Sequence, residues 1–247
     1  MKAIILAGGF AKRLWPLTKE QAKPLVDLNG RPIIHYIISS LDKSQEISEI
    51  IISTNEKFSD SFYKWLATQT FSKPIKIIAE PVMDEKNKLG AIGGLNFVFE
   101  SQNISSDVFV IAGDNLTGVN IDAMLNESKK TGNTTIGVYD IKNFAAAKKF
   151  GEVKIDSEKK IISFREKPEF PETTMISTGC YVFPKGIRNE IKQYLSELKN
   201  KDAPGHFIAW LAGKASVYAY VFDTYWFDIG DHETLEKARE FAKNHLN

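Results

Sequence analysis

Short apolar runs and segments of helical periodicity alternate along the first 140 residues of the chain. The run Lys2–Ala7 ends in two glycines, which is typical of a buried strand followed by a turn. Pro32 opens a segment in which the apolar residues of positions 33–41 share one helical face. The same pattern predicts strands at Glu49–Ser53, Ile75–Ala79, Val108–Ala112 and Thr134–Tyr139, and helices at Ser59–Ala67, Ala91–Phe99 and Ile121–Lys130.

The second half of the chain has a different texture, because strand-like runs follow one another with turn residues between them. The pattern predicts strands at Gly151–Ile155, Ile161–Phe164, Ile176–Phe183 and Val217–Val221, and helices at Ile187–Leu198, His206–Leu211 and Leu235–Ala242. No break in composition separates the two halves. We therefore expect an α/β fold in one domain over residues 1–247, with a Rossmann-like, mostly parallel mixed sheet covered by helices on both faces.

Ligands of such sheets bind beyond the carboxyl ends of the strands, so the residues that follow strands are the candidates for function. Gly8 and Gly9 follow the first strand and allow a sharp turn and the close approach of a ligand. Successive free backbone N–H groups in such a turn form an anion-binding concavity. Arg13 adds a planar fork of donors suited to phosphate oxygens, and Lys23 brings a second cation. The sequence thus predicts a phosphate-binding loop.

The charge balance and the content of cysteine and histidine exclude several classes of function. Lys and Arg total 32 and Asp and Glu total 31, so a protein that coats nucleic acid is not expected. The single cysteine, Cys180, rules out a disulfide within the chain and a Cys-rich zinc site. No apolar run approaches the ~20 residues that span a bilayer, and the first residues lack the features of a secretory signal. We expect a cytoplasmic protein without nucleic-acid or membrane partners, and a homo-oligomer is compatible with the sequence.

The segment Leu6–Thr18 resembles the signature of the sugar-phosphate nucleotidyltransferase family, L-A-G-G-x-G-T-R-L-x-P-L-T, which is followed a few residues on by K-P. Two positions depart from it, because Ala11 stands for the third glycine and Lys12 for the threonine. Alanine is disfavoured at positive φ, so we expect a slightly different loop, with Lys12 as a solvated side chain. The resemblance implies that the nucleotide is bound by Leu6, Ala7, Gly8 and Gly9, and that Arg13 and Lys23 are catalytic.

Two aspartates lie in further motifs of the family. Asp114 belongs to a G-D-N after a buried strand, and Asp228 belongs to Y-W-x-D-I-G near the end of the chain. The resemblance implies that both hold Mg²⁺, which takes one or two carboxylates together with substrate phosphates and water. A turn aspartate at 114 and a helix cap at 228 are the structural alternatives, but Asp231 is better placed to cap the last helix.

The sugar side of the resemblance lies in the second half of the chain. Glu166-Lys167-Pro168 matches the family's E-K-P, which implies that Lys167 grips the sugar phosphate and Glu166 bonds sugar hydroxyls. Residues 177–183 resemble N-T-G-x-Y-x-F, with Ser177 in place of the asparagine. Further sugar-binding residues implied by the resemblance are Gly151, Thr178 and Tyr181.

The residues that would contact the nucleobase match the family's motifs less closely than the other segments do. Residues 89–94 look like the family's L-G-T-A-G-A, a turn into a helix beneath the base, which implies a nucleotide contact at Gly90. Glu80 falls near the position where relatives place a base-reading glutamine or glutamate. The resemblance thus divides the domain into a nucleotide-binding half, about residues 1–137, and a sugar-binding half, about residues 138–247.

The resemblance implies a magnesium-dependent enzyme that joins a nucleoside triphosphate to a sugar 1-phosphate and releases pyrophosphate. We expect glucose 1-phosphate with dTTP or UTP. The alternatives are a mannose-1-phosphate guanylyltransferase, cytidylyl transfer to a non-sugar phosphate, and a non-catalytic regulatory protein that binds nucleotide sugars. A dinucleotide oxidoreductase needs G-x-G-x-x-G, which residues 8–13 do not contain.

Overall fold

The computed structural model describes residues 1–197 and 202–246. Among these residues the strands are β1 (Lys2–Leu6), β2 (Glu49–Asn55), β3 (Ile75–Glu80), β4 (Val108–Ala112), β5 (Asn115–Thr117), β6 (Thr134–Asp140), β7 (Gly151–Ile155), β8 (Ile161–Glu166), β9 (Met175–Phe183), β10 (Val217–Phe222) and β11 (Trp226–Asp228). The helices are α1 (Ile33–Lys43), α2 (Glu56–Leu66), α3 (Gly90–Ser101), α4 (Ile121–Thr131), α5 (Phe144–Ala147), α6 (Ile187–Glu197), α7 (Pro204–Ala212) and α8 (His232–His245). Short 3-10 turns lie at Lys12–Leu14, Lys23–Leu25 and Glu85–Asn87.

The main sheet is mixed and has β1 near its centre. Its strand order is β10-β6-β9-β4-β1-β2-β3, and β7 pairs with both β8 and β9. The pairs of β1 with β2 and β4, of β2 with β3, and of β6 with β10 are parallel, whereas β9 runs antiparallel to β4, β6 and β7. The predicted fold class is therefore confirmed.

The sheet separates two hydrophobic cores. On β1, Ala3 and Ile5 face one core with helices α1, α2, α4 and α8, while Ile4 faces the other with α3, α6 and α7. This alternation follows from the two-residue period of a strand. Each fully buried isoleucine contributes about 1.5–3 kcal/mol relative to an exposed one. Because both faces are covered, the strand ends and their loops are left as the place for a ligand.

The structure differs from the sequence predictions in its shortest elements. Strands β5 and β11 form a separate two-stranded antiparallel sheet, and neither was predicted. Helix α5 was also missed, because three or four residues are too few to display a period. Helix α2 begins at Glu56 rather than Ser59, since Asn55 caps it by accepting from the backbone N–H of Phe58. The last residue of the predicted helix Ile187–Leu198 lies outside the described residues.

The cap predicted for the last helix is confirmed. The Asp231 carboxylate accepts from the backbone N–H of Thr234, and the Thr234 hydroxyl lies 3.1 Å from the Asp231 backbone nitrogen, which completes a capping box. Asp228 is therefore not needed as a helix cap. Within the described part of the chain, no helix has both the length and the apolar character that crossing a membrane requires.

Candidate active site

The loops after β1 and β4 touch directly. The Gly113 N–H donates to the Leu6 carbonyl at 2.8 Å. A Cβ atom placed on Gly113 would lie 2.8 Å from that carbonyl oxygen and 3.1 Å from Cγ of Pro24. Only glycine allows this close approach of two backbones. The contact places Asp114, the next residue, beside the glycine loop.

The small sheet of β5 and β11 brings the two predicted metal ligands together. In its register Asp228 pairs with Asn115, and the Ile229 N–H donates to the Asp114 carbonyl at 3.1 Å. Burial and the neighbouring Asp114 carboxylate raise the pKa of Asp228 to about 6. Two residues 114 positions apart in the chain thus form a carboxylate pair.

Three cations surround this pair. Lys23, which is buried, donates to Asp114 Oδ2 at 2.8 Å. The ideal Cβ position of Gly230 lies 3.4 Å from Asp228 Oδ2 and 3.7 Å from Nη1 of Arg13, so the guanidinium and the carboxylate face the same point. Lys23, Arg13 and Lys167 each oppose the rise in the pKa of Asp228. The structure therefore gathers every residue that was predicted to be catalytic.

The donor set of the carboxylate pair fits a magnesium ion. Across residues 1–197 and 202–246, no group of three or more His, Cys, Asp or Glu side chains could hold a metal by itself. Mg²⁺ commonly takes one or two protein carboxylates and completes its shell with substrate phosphates and water. Asp114 and Asp228 are the residues that would hold it, and the cations beside them suit the accompanying phosphates.

The loop after β1 keeps a tight turn despite its departures from the family signature. Ala11 has φ 45° and ψ 46°, the left-handed conformation that favours glycine. The buried hydroxyl of Thr18 donates to the Ala11 carbonyl at 2.7 Å and fixes the turn. Lys12, expected to be solvated, is exposed but forms an ion pair with Glu85.

Polar residues at the end of β2 support this loop, and the sequence predictions missed them. Ser53, Thr54 and Asn55 are fully buried. The Asn55 side chain donates to the Gly8 carbonyl at 3.2 Å, and the Ala7 N–H donates to the Ser53 carbonyl at 2.7 Å. A Ser-Thr-Asn run that ends an apolar strand was the available signal, because such residues are rarely buried without a partner.

Glu80 lies between the glycine loop and the start of α3. Its side chain is buried, and Oε1 accepts from the Ser53 hydroxyl at 2.9 Å. A Cβ atom would lie 3.0 Å from Oε1 if placed on Gly8 and 2.4 Å from it if placed on Gly94. Burial raises the pKa of Glu80, and the Ser53 hydrogen bond opposes this. Gly90 begins α3 with φ 74°.

Two glycines surround the predicted sugar ligand Glu166. Gly151 pairs with Glu166 in the β7–β8 register, and a Cβ atom there would lie 3.1 Å from Glu166 Oε2. A Cβ atom on Gly205 would lie only 1.8 Å from the same oxygen. Gly205, at the start of α7, was not predicted, and its only signal was a Pro-Gly pair. Lys167 has φ 48°, and its backbone N–H donates to the Phe150 carbonyl at 3.0 Å.

Thr178 and Tyr181, which were predicted to bind the sugar, are buried residues of β9. The Thr178 hydroxyl donates to the Gly137 carbonyl at 2.9 Å, and both side chains are less than 5% exposed. The Thr178 carbonyl accepts from Asn115 Nδ2 at 2.8 Å and from Trp226 Nε1 at 3.2 Å. Burial raises the pKa of Tyr181, and the Glu166 carboxylate adds to the rise. Thr178 thus connects β9 to the small sheet of β5 and β11.

The central strands of the sheet are parallel, and their ends bring together a glycine loop, a carboxylate pair and three cations. Such a site is suited to a protein that binds phosphate groups. The profile of the nucleotidyl transferase family matches residues 2–245. The chain belongs to this family, which confirms the resemblance of its motifs.

Three curated relatives cover more than nine tenths of the chain. The mannose-1-phosphate guanylyltransferase of Mycobacterium tuberculosis is 28% identical over 96% of the chain, and the D-glycero-alpha-D-manno-heptose 1-phosphate guanylyltransferase of Campylobacter jejuni is 28% identical over 93%. A protein of Sulfolobus acidocaldarius, provisionally described as a mannose-1-phosphate guanyltransferase, is 27% identical over 93%. The chain spans 60% and 63% of the length of the Sulfolobus and Mycobacterium relatives and 95% of the Campylobacter relative.

A solved structure has the same fold. A crystal structure from Bacillus anthracis, provisionally described as a glucose-1-phosphate thymidylyltransferase and determined in complex with sucrose, superposes with a TM-score of 0.84. The match covers 99% of this chain and 96% of that one at 24% identity.

Proposed function

We propose that this protein transfers a nucleotidyl group from a nucleoside triphosphate to a sugar 1-phosphate. A phosphate oxygen of the sugar 1-phosphate forms a bond to the α-phosphorus, the bond from that phosphorus to the bridging oxygen breaks, and pyrophosphate leaves. The observation that carries the proposal is the meeting of Asp114 and Asp228 with Arg13, Lys23 and Lys167 at the strand ends.

The residues of the chain act mainly by positioning and by neutralising charge. Two polyanions repel each other, and fixed cations beside both phosphate groups lower that repulsion as they meet. Arg13 faces the triphosphate, Lys167 holds the sugar phosphate, and Lys23 holds Asp114 in place. No general base is required, because a phosphate monoester is already anionic at neutral pH. Mg²⁺ held by Asp114 and Asp228 would supply further charge neutralisation at the phosphates.

The carboxylate of Glu80 supports guanine as the base. Guanine presents two adjacent donors, N1–H and the N2 amino group, and an ionised carboxylate can accept both. Thymine and uracil present one N–H between two carbonyl oxygens, so a carboxylate opposite them would meet an acceptor with an acceptor. Glu80 already lies against Gly8 of the nucleotide loop. GTP is therefore a better fit than the dTTP or UTP expected from the motifs.

The relatives support a manno-configured acceptor. The names of the curated relatives specify mannose 1-phosphate or a manno-heptose 1-phosphate together with guanylyl transfer. Glu166, seated between Gly151 and Gly205, is the group that would accept from sugar hydroxyls. The proposed pair is thus GTP with a manno-configured sugar 1-phosphate, and glucose 1-phosphate with dTTP or UTP is the competing pair.

The test is a matrix of substrates. Purified protein with Mg²⁺ is given GTP, ATP, CTP, UTP or dTTP, each against mannose, glucose and manno-heptose 1-phosphates, and pyrophosphate release is measured. We expect the highest kcat/KM with GTP and a manno-configured acceptor. A higher value with dTTP or UTP would contradict the base assignment, and binding of nucleotide sugars without turnover of any pair would leave a regulatory protein as the function.

A further inference from the structure

Four side chains of alternating charge lie in a row between the glycine loop and the segment that precedes α7. Lys12 forms an ion pair with Glu85, Glu85 lies 3.8 Å from Lys88 Nζ, and Lys88 lies 2.8 Å from Asp202. We name these four residues, Lys12, Glu85, Lys88 and Asp202, the charged bridge. Asp202 precedes α7, whose Gly205 contacts Glu166. The charged bridge therefore connects the loops that hold the two proposed substrates.

The turn that carries Glu85 is held firmly. Asp84 Oδ1 accepts from the backbone N–H groups of Lys86 at 2.9 Å and Asn87 at 3.1 Å, which fixes the 3-10 turn Glu85–Asn87. Glu85 is thus presented to Lys12 by a capped turn rather than by a free loop. A carboxylate held in this way keeps the Lys12 ammonium group beside the glycine loop.

The ion pair between Lys12 and Glu85 is weak enough to be exchanged. The Lys12 side chain is 59% exposed and that of Glu85 is 32% exposed. Ion pairs near the protein surface contribute little to stability, because water screens the charges. A triphosphate offers several charged oxygens, and hydrogen bonds between ionised partners are among the strongest in proteins. A triphosphate in the glycine loop would therefore compete well for Lys12.

We propose that Lys12 is a triphosphate-binding residue and that Glu85 holds its ammonium group until the nucleotide arrives. Lys12 follows the left-handed Ala11 and precedes Arg13, whose guanidinium faces the carboxylate pair, so it lies in the segment that meets the phosphates. Lysine stands where the family signature has threonine, so this chain has one more cation in that loop. The inference rests on the proposed function, because it assumes that a triphosphate binds there.

Two substitutions separate this role from a merely structural one. If the charged bridge only fastens two loops, loss of either Lys12 or Glu85 weakens nucleotide binding. If Lys12 binds phosphate and Glu85 competes for it, Lys12→Ala weakens binding and Glu85→Gln strengthens it. Lys86→Ala is the matched control, because Lys86 is an exposed lysine of the same turn, and its side chain forms no ion pair with any residue in the described ranges 1–197 and 202–246.

The experiment is calorimetric titration of each variant with GTP and Mg²⁺, without a sugar phosphate. We expect Lys12→Ala and Lys12→Thr to raise the Kd about tenfold, Lys12→Arg to restore binding, and Glu85→Gln to lower the Kd by roughly two- to fivefold. Lys86→Ala should stay within about twofold of the wild type. An unchanged Kd for Lys12→Ala, or weaker binding by Glu85→Gln, would overturn the role of Lys12 alone.

The outcome also distinguishes the two proposals. If the wild type binds none of the five triphosphates, the proposed function fails and the role of Lys12 fails with it. If the wild type binds dTTP or UTP instead of GTP, the same titrations are made with that nucleotide, and the opposite effects of Lys12→Ala and Glu85→Gln are still required.

Discussion

At the scale of single residues, Glu80 is the group that we propose selects the nucleobase. Its carboxylate is buried between Gly8, Gly94 and Ser53, so it has little freedom to turn away from a base in the loop. Ser53 donates to one oxygen, which leaves the acceptor character of the carboxylate intact. A side chain with one donor and one acceptor in the same place would reverse the pattern of hydrogen bonds.

Glu80→Gln is expected to change the preferred base. The amide offers one N–H and one carbonyl, which match N3–H and a neighbouring carbonyl of thymine or uracil, whereas guanine loses an acceptor. The ratio of kcat/KM for GTP to that for dTTP or UTP should fall on the order of 10²-fold. The measurement is the same pyrophosphate assay. An unaltered ratio would mean that Glu80 does not face the base.

The same residue predicts a pH dependence of stability in the absence of nucleotide. Burial raises the pKa of Glu80 above its ordinary value of 4.5, so ionising this carboxyl group costs more free energy in the folded state than in the unfolded state. The stability that the neutral form contributes is present below pH 4.5 and is lost as the pH rises through the raised pKa. The Tm of Glu80→Gln minus that of the wild type should therefore increase from pH 4.5 to pH 7.5. A difference that stays constant across this range would contradict the burial effect.

At the scale of elements, the sequence predicted the helices and strands that are long enough to show a periodic pattern of apolar residues, and it missed the shorter ones. The apolar face of residues 33–41 was enough to predict α1, and the run before Gly8 was enough to predict β1. Strands β5 and β11 have three residues each and take their form from pairing with one another. The motif resemblance still identified Asp114, which immediately precedes β5, and Asp228, the last residue of β11, because motifs do not depend on periodicity.

Gly205 shows what neither periodicity nor motif could reveal. Gly205 is in α7 and Glu166 is in β8, and a Cβ atom placed on Gly205 would lie 1.8 Å from Glu166 Oε2. Any larger residue at this position would therefore collide with the Glu166 carboxylate. A Pro-Gly pair at a helix start is ordinary in sequence, since proline favours the first helical turn. Only the packing of α7 on β8 places this glycine against Glu166, the proposed sugar ligand.

Gly205→Ala should displace the Glu166 carboxylate without unfolding the protein, because the clash involves the end of a flexible side chain. We expect the KM for the sugar 1-phosphate to rise about tenfold, as for the loss of one hydrogen bond to a charged group, with the KM for GTP unchanged. Gly213→Ala is the control, since a Cβ atom there has no contact closer than 3.4 Å. Equal increases in both KM values would point to a general disturbance instead of a sugar contact.

At the scale of the whole molecule, the candidate site exists only because distant parts of the chain are joined. The Ile229 N–H bond to the Asp114 carbonyl and the contact of Gly113 with Leu6 bring the glycine loop, the end of β4 and the end of β11 to one place. Burying Asp228 and bringing Asp114 beside it both have a cost, which is visible in the raised pKa of Asp228. The neighbouring cations Lys23, Arg13 and Lys167 offset part of this cost, and Mg²⁺ held by both carboxylates would offset more.

Asp114→Asn and Asp228→Asn should each lower kcat about 100-fold or more, the scale of losing an electrostatic stabiliser. In the absence of Mg²⁺, Asp228→Asn should not lower the Tm, because it removes one of two carboxylates that repel each other. Asp114→Asn should lower it, because it also removes the partner of the buried Lys23 ammonium group. Asp231→Asn is the matched control: it makes the same change three residues from Asp228, and asparagine caps a helix about as well as aspartate. Near-normal turnover by either site variant would refute the carboxylate pair as the metal site. A large loss in Asp231→Asn would mean instead that this whole segment is sensitive to charge.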